Sequence, residues 1–267
     1  MDFIQTYIQA ELDKPELMQF NFGNIAAFSN KSPEHETPNE DCVGIFQLDR
    51  SSAVFMVADG LGGLPGGNTA SKLAIQAIKN SLSHLKDISS LRDAILDGFE
   101  KANHLIQKRS TGAATTLAVV EYQNGQIRTY HVGDSMILLT GQRGKIKLQT
   151  VSHSPVGYAV ESGLLDEDEA IHHEERHLVS NVVGSEDMRI EIGPTLKLDH
   201  FDTLVMASDG LFDNFYIDEI VELTRKGNLK KAARALSETA TRRMLQPEPD
   251  RPSHADDLSF ILFRPAD

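Results

Sequence analysis

The amino-acid sequence predicts an α+β fold in which sheets are sandwiched by helices, and three observations carry that prediction. Short β-rich runs recur along the chain, helical periodicity gathers in two pairs of segments, and a long antiparallel-looking meander separates the pairs. Strict βαβ alternation is absent. The runs span residues 20–28, 43–48, 54–58, 115–122, 126–132, 136–140, 145–150, 189–192, 203–207 and 258–263. Asn124-Gly125 joins two of them and signals a tight hairpin, because both central residues of such a turn take positive φ. Ala74, Ala77, Ile78, Leu82 and Leu85 follow the helical period of ~3.6 residues, as do Leu91, Ile95, Phe99, Ala102 and Ile106. Ile217, Ile220 and Val221 open a third helix, and Leu229, Ala232, Leu236 and Ala240 mark a fourth. Residues 152–188 fit neither period and are dense in charge, which predicts an excursion over the surface.

A chain of 267 residues with 40% hydrophobic and 24% charged side chains can bury a sizeable core. No repeat, low-complexity block or Gly/Ser linker divides it, so one domain is the simplest reading. Lys plus Arg number 26 against 39 Asp plus Glu, a formal net charge of -13 that repels nucleic acid and anionic lipid. A phosphate-bearing substrate therefore needs a local cation. The single cysteine, Cys42, cannot form an internal disulfide, and zinc-finger spacing is missing. The start, MDFIQTYIQAELDKPEL, is acidic where a signal peptide is basic, and no stretch approaches the ~18 apolar residues of a membrane span. These features predict a cytoplasmic protein with no membrane or nucleic-acid partner.

Two apolar runs end alike. Val54-Phe55-Met56-Val57-Ala58 leads into Asp59-Gly60, and Leu204-Val205-Met206-Ala207-Ser208 leads into Asp209-Gly210. A strand tip holds a carboxylate rigidly at the edge of a core, and the glycine lets the backbone turn and offers an unobstructed carbonyl, both suited to a hard cation. One such site is commonly an ordinary turn. Further acids occur in similar settings: Glu40 and Asp41 before a strand, Asp134 between two strands, Asp213 beyond Asp209, and Asp256-Asp257 ahead of the last strand. If these tips converge, each like-charge pair at ~4 Å costs about 1 kcal/mol in water and about 4 kcal/mol at an effective dielectric of 20. Such a nest has to be neutralised by metal or by protons, and oxygen-only ligation favours Mg or Mn over zinc.

Asn39-Glu40-Asp41, Val57-Ala58-Asp59-Gly60-Leu61-Gly62-Gly63, Thr111-Gly112-Ala113-Ala114-Thr115-Thr116, Val132-Gly133-Asp134-Ser135, Ala207-Ser208-Asp209-Gly210-Leu211-Phe212-Asp213-Asn214 and Asp256-Asp257-Leu258-Ser259 resemble, in order, the motifs of the metal-dependent protein phosphatases of the 2C type, in their bacterial branch. The resemblance implies a four-layer α-β-β-α sandwich, two central mainly antiparallel sheets flanked by helices. Residues 20–267 would form the phosphatase domain behind an extension of residues 1–19, and residues 152–188 the variable flap. It implies a serine/threonine protein phosphatase with two Mn2+ or Mg2+ ions, a phosphorylated protein as substrate, a counteracting Ser/Thr kinase, and a monomeric state. Asp59 would bridge both ions, with the Gly60 carbonyl and Glu40 on one and Asp209 and Asp256 on the other. Asp41 would hold the attacking water by hydrogen bonding, which makes Asp41, Asp59 and Asp209 the catalytic set. Asp134, Asp209 and Asp213 match the positions of a third, looser ion. Two cations about 3.5–4 Å apart activate water for in-line attack on phosphorus and offset the phosphoryl charge.

The sequence departs from the family pattern in two places. Glu36 stands where many members carry a phosphate-gripping arginine, leaving Lys31 and His35 as candidates from the same loop. Leu61 and Leu64 stand where some carry a histidine acting as general acid, leaving His131 and His153 by composition only, with a structural role the simpler reading for both. Cys42 reads as a small residue filling space, since nothing near it in sequence lowers a thiol pKa. A competing motif, His173-Glu174-Glu175-Arg176-His177, fits the H-E-x-x-H zinc-protease spacing. That motif needs a helix, whereas the residues that follow are β-branched and end at Gly184, so a chance match is the better explanation. Glu36 also supports an alternative, a weakly active phosphatase-fold domain that binds phosphoproteins; the full set of Glu40, Asp59, Asp209 and Asp256 argues against it.

Overall fold

In a computed structural model describing residues 3–34, 36–61 and 66–266, the strands pair into two antiparallel sheets. The first runs β1 (Phe3–Ile8), β4 (Cys42–Gln47), β5 (Ser52–Ala58), β6 (Leu117–Gln123) and β7 (Gln126–Val132), with short β10 (Glu191–Ile192) and β11 (Leu196–Lys197) both against β7. The second runs β2 (Glu16–Phe20), β3 (Gly23–Asn30), β13 (Leu258–Pro265), β12 (Thr203–Ala207), β8 (Met136–Thr140) and β9 (Ile146–Gln149). Helices α1 (Gly67–Ser83) and α2 (Leu91–Gln107) share one apolar cluster with the first sheet. Helices α5 (Asp209–Phe212), α6 (Ile217–Thr224) and α7 (Leu229–Leu245) share another with the second. A third cluster fills the space between the sheets, so the layers are α-β-β-α.

The period of two along a strand explains why the central runs are apolar throughout. In β5, Val54, Met56 and Ala58 face α1 and α2, while Ala53, Phe55 and Val57 face the other sheet. In β13, Phe260 and Leu262 face the helices, and Ile261 and Phe263 face inward. The Phe55 and Phe263 rings meet across the sheet interface with centroids 5.1 Å apart. Each such side chain contributes about 1.5–3 kcal/mol by leaving water, so both central strands are held from two sides. The hairpin expected at Asn124-Gly125 forms, with φ of 48° and 78° and Gln123 opposite Gln126.

Two sequence expectations change, and a third region gains detail. Residues 1–19, read as an extension, instead carry β1 and most of β2, which pair with β4 and β3 at the sheet edges. Edge strands bury one face at most, so their half-polar composition hides them. The run 20–28 breaks into two elements, β2 and β3, paired as a hairpin through the turn at Asn21 and Phe22. The charged stretch 152–188, read as a surface excursion fitting neither period well, contains two short helices. It holds α3 (Pro155–Glu161), whose Ser154 cap accepts the Gly157 N–H at 2.9 Å, and α4 (Glu167–Ala170), closed by a capping box of Asp166 and Glu169. No helix among the described residues is long and apolar enough to cross a membrane.

Arg243 ties the helical layer to the loop that follows α5. Its buried guanidinium pairs with Glu219 at 2.9 and 2.8 Å, donates to the Asn214 carbonyl at 2.6 Å, and sits 4.8 Å from the centre of the Phe215 ring. Arg243→Ala should destabilise the protein by about 3 kcal/mol, read as a lower urea midpoint at unchanged slope. A change below about 1 kcal/mol would show that the pair contributes little.

Candidate metal centre

Strand register brings the acids to one end of the sandwich. Cys42 pairs with Ala58, so Asp41 and Asp59 leave neighbouring strands side by side. Ala207 lies between Phe260 and Met136, so Asp209, the Asp256-Asp257 pair and Asp134 leave the second sheet at one level. Glu40, Asp59, Asp134, Asp209, Asp213 and Asp256 are each half-buried, and Asp41 is fully buried.

Mutual repulsion and burial mark this cluster. Burial, then the Asp209 charge, pushes Asp59 well above the ordinary carboxylate range. Burial, then Asp256, Asp134 and Asp213, does the same to Asp209. Burial first and Asp213 second raise Asp134 to about 7. Burial and then Asp257 raise Asp41 to about 8, against a lowering hydrogen bond from Ser208. Glu40 and Asp256 are raised chiefly by burial. Carboxylates crowded in this way are a site for a hard cation.

The residues fit such ions on a further observation. Asp41 Oδ2 accepts the Ser208 hydroxyl at 2.8 Å, while Oδ1 is buried without a hydrogen-bond partner. An orphaned buried oxygen is costly unless a bound group satisfies it. The surroundings hold the other acids in place. The Asp59 carbonyl accepts from Thr116 N–H at 2.8 Å and the Thr115 hydroxyl at 2.7 Å, and Thr116 Oγ1 receives the Asp59 N–H at 3.0 Å. Glu40 Oε1 accepts the Asn68 N–H at 3.1 Å in the first turn of α1. Asp257 accepts the N–H groups of Ser32 at 2.7 Å and Glu40 at 2.6 Å. The two Asp-Gly glycines are close-approach positions. A Cβ at Gly60 would lie 2.4 Å from Gly67 backbone, and one at Gly210 would lie 1.9 Å from the Asp257 carbonyl.

Asn39, quoted from the sequence without a role, is the brace of the first motif. Its side chain donates to the Ala10 carbonyl at 2.8 Å and accepts the Asp41 N–H at 2.9 Å, so the N-terminal segment supports the site. Arg176 pairs with Asp213 at 2.9 Å, so the flap segment 173–177 delivers a guanidinium to the acid cluster. That segment consists of turns, with no helix to present His173 and His177 as zinc ligands.

His131 and His153 are structural. Their rings stack with centroids 4.4 Å apart at 19°, and His131 is bonded to the Val151 carbonyl at 3.0 Å. His153 Nδ1 accepts the Gly133 N–H at 3.1 Å, which leaves the proton on Nε2 toward Glu191 at 3.1 Å. His131, His153 and Glu191 have candidate ligand atoms within 4.8 Å of one another. His131 Nε2 is engaged by the Val151 carbonyl and His153 Nδ1 by the Gly133 N–H, so the trio serves as a clamp. His153 also receives Asn181 at 2.8 Å and, through its carbonyl, the Ser180 N–H at 2.8 Å, joining the Gly133-Asp134 turn to the end of the flap.

Glu36 is exposed, and Lys31 pairs with Glu11 at 3.3 Å. His35, Gly62, Gly63 and Leu64 lie outside the described residues. Leu61 uses its backbone N–H on the Ala114 carbonyl at 3.1 Å. Cys42 is buried against Ser71, and burial pushes its thiol up to about 12, so it is inert at neutral pH.

Comparison with known proteins bears on the family and the fold. Residues 32–248 match the family described as Protein phosphatase 2C. A relative from Streptococcus pneumoniae named protein phosphatase PhpP is 28% identical over 71% of this chain and 80% of its own length. The solved S. agalactiae serine/threonine phosphatase superposes with a TM-score of 0.78 at 25% identity, covering 92% of this chain and 100% of that one. The catalytic domain of the phosphatase PstP, solved in complex with two manganese ions, shares the fold at a TM-score of 0.72 and 21% identity, over 92% of this chain and 99% of that one.

The raised carboxylates set a pH dependence. In the folded state they keep protons that the unfolded chain, near the ordinary 3.8, releases, so their stabilising contribution is complete below about pH 4 and is lost as pH rises through about 7 for Asp134 and about 8 for Asp41. In a chelator, the Tm should fall between pH 5.5 and pH 8 by at least about 2–4 °C, the shift per kcal/mol in a chain of this size. Added Mg2+ or Mn2+ should raise the Tm more at pH 8 than at pH 5.5. A chelated Tm that is flat or climbs over this range would contradict the assignment.

Proposed function

The chain belongs to the protein phosphatase 2C family, whose metal-dependent members hydrolyse phosphoserine and phosphothreonine on proteins, and we propose that the carboxylates at one end of its sandwich are the centre for that reaction. The observation that carries the reading is the convergence of mutually raised acids around Asp41, with its orphaned Oδ1. Two ions, Mn2+ or Mg2+, would be held by Glu40, Asp59 and the Gly60 carbonyl on one side and by Asp59, Asp209 and Asp256 on the other. Bound there, they supply an activated water and offset the charge of the phosphoryl oxygens. A third ion would use Asp134, Asp209 and Asp213, and would compete with Arg176 for Asp213.

The chain's own groups supply orientation. Ser208 fixes Asp41 through Oδ2 and leaves Oδ1 to hold a water or substrate oxygen. Thr115 and Thr116 fix the backbone of Asp59, and Asp257 fixes that of Glu40. Lys31 is engaged by Glu11, which supports neutralisation of the substrate phosphate by the ions in place of a loop cation. On the same reading the enzyme is a cytosolic monomer that counters a Ser/Thr kinase.

Asp59→Ala and Asp209→Ala should each lower turnover of p-nitrophenyl phosphate with Mn2+ by more than about a hundredfold. Their Tm in a chelator should match or exceed that of the parent, because removing a carboxylate relieves repulsion. Variants that keep near-parental rates would place the centre elsewhere. His177→Ala should stay within about threefold of the parent, since the segment carrying it forms no zinc site; a loss as deep as that of Asp59→Ala would reinstate that segment as catalytic.

A further inference from the structure

A cavity of about 610 Å3 lies between the flap and the helices after β12, and of the acids in the cluster only Asp213 lines it. Its volume falls in the range of roughly 300–1,000 Å3 typical of ligand sites. Val156, Val160 and Ile171 from the flap face Phe212 and Ile217 from α5 and α6, so the walls are apolar. The rim is acidic. Glu161, Glu167, Asp168 and Asp218 line it, and none of them is in an ion pair among the described residues. Arg176 is the one basic side chain on the described wall, and it is committed to Asp213. Asp213 lines this cavity and donates its N–H to the Asp209 carbonyl at 2.7 Å, so the mouth of the cavity lies beside the acid cluster.

We propose that the cavity seats the substrate segment beside the phosphoresidue and selects a large apolar side chain accompanied by Lys or Arg. The inference rests on the phosphatase reading above and adds the chemistry of the substrate. Apolar walls favour an aliphatic or aromatic anchor, since its burial removes both surfaces from water. Unpaired rim carboxylates favour positive charge and repel a second acid, which makes the selection two-sided. Because the flap holds three of the four rim acids and three of the five apolar walls named above, it carries most of the selectivity while the sandwich carries the chemistry.

The test uses matched phosphothreonine peptides bearing either Leu-Arg or Ala-Glu, placed before the phosphoresidue in one set and after it in the other. Phosphate release should favour Leu-Arg over Ala-Glu by about tenfold or more in kcat/KM in at least one set. Val160→Trp, which fills the cavity, should cut that preference to about twofold or less, while turnover of p-nitrophenyl phosphate stays within about twofold. Asp168→Lys, on the exposed rim, should weaken the preference for Arg without touching the apolar wall. Binding of the unphosphorylated Leu-Arg peptide, followed by fluorescence anisotropy in a chelator, should weaken in Val160→Trp. Equal rates on all peptides, or a preference that survives both variants, would overturn the inference as long as p-nitrophenyl phosphate is turned over. Absence of any metal-dependent turnover of that small ester would instead overturn the phosphatase reading itself.

Discussion

Negative charge held at one end of the sandwich is the constraint to which the rest of the structure answers. Carboxylates from both sheets meet where strands stop, and burial with mutual repulsion lifts Asp41, Asp59, Asp134 and Asp209 out of the ordinary range. No folded chain gathers such charge without rigid support. Here support comes from strands buried on both faces, from Thr115, Thr116 and Ser208, and from glycines packed against neighbouring backbone at the two Asp-Gly turns.

The same constraint explains how a chain of net charge -13 can serve a phosphorylated substrate. On the proposed reading, the acids would repel a phosphate until cations cover them, which would link affinity for cation and affinity for substrate through one set of side chains. Asp41 differs from the others in being fully buried and half satisfied, which suits a group that holds an oxygen without competing as an outer ligand.

The flap is joined to the acid-bearing turns by a few polar contacts, chiefly the His153 clamp at Gly133 and the Arg176 pair at Asp213. Between those contacts it roofs an apolar cavity with an acidic rim. On the proposed reading, chemistry would rest on strands fixed by core packing, and selection on a flap held by these polar contacts.

Apolar runs ending in Asp59-Gly60 and Asp209-Gly210, the Asn124-Gly125 hairpin and the periodic stretches behind α1, α2, α6 and α7 were legible because each is a local pattern with a local cause. The ordered motifs identified the family by the same means. Edge strands β1 and β2 were hidden because half-buried segments lose their apolar signature. Arg176 was hidden because its partner is 37 residues away in sequence, and the clamp of His153 on Gly133 for the same kind of reason. Sequence by itself determined which acids sit at strand tips, since tip and turn are encoded within a few residues. Only the tertiary structure decided that these tips share one end of two sheets, that Asn39 ties them to the N-terminal segment, and that an apolar cavity opens beside Asp213. Those depend on strand register and layer packing, which arise from contacts between residues far apart in the chain.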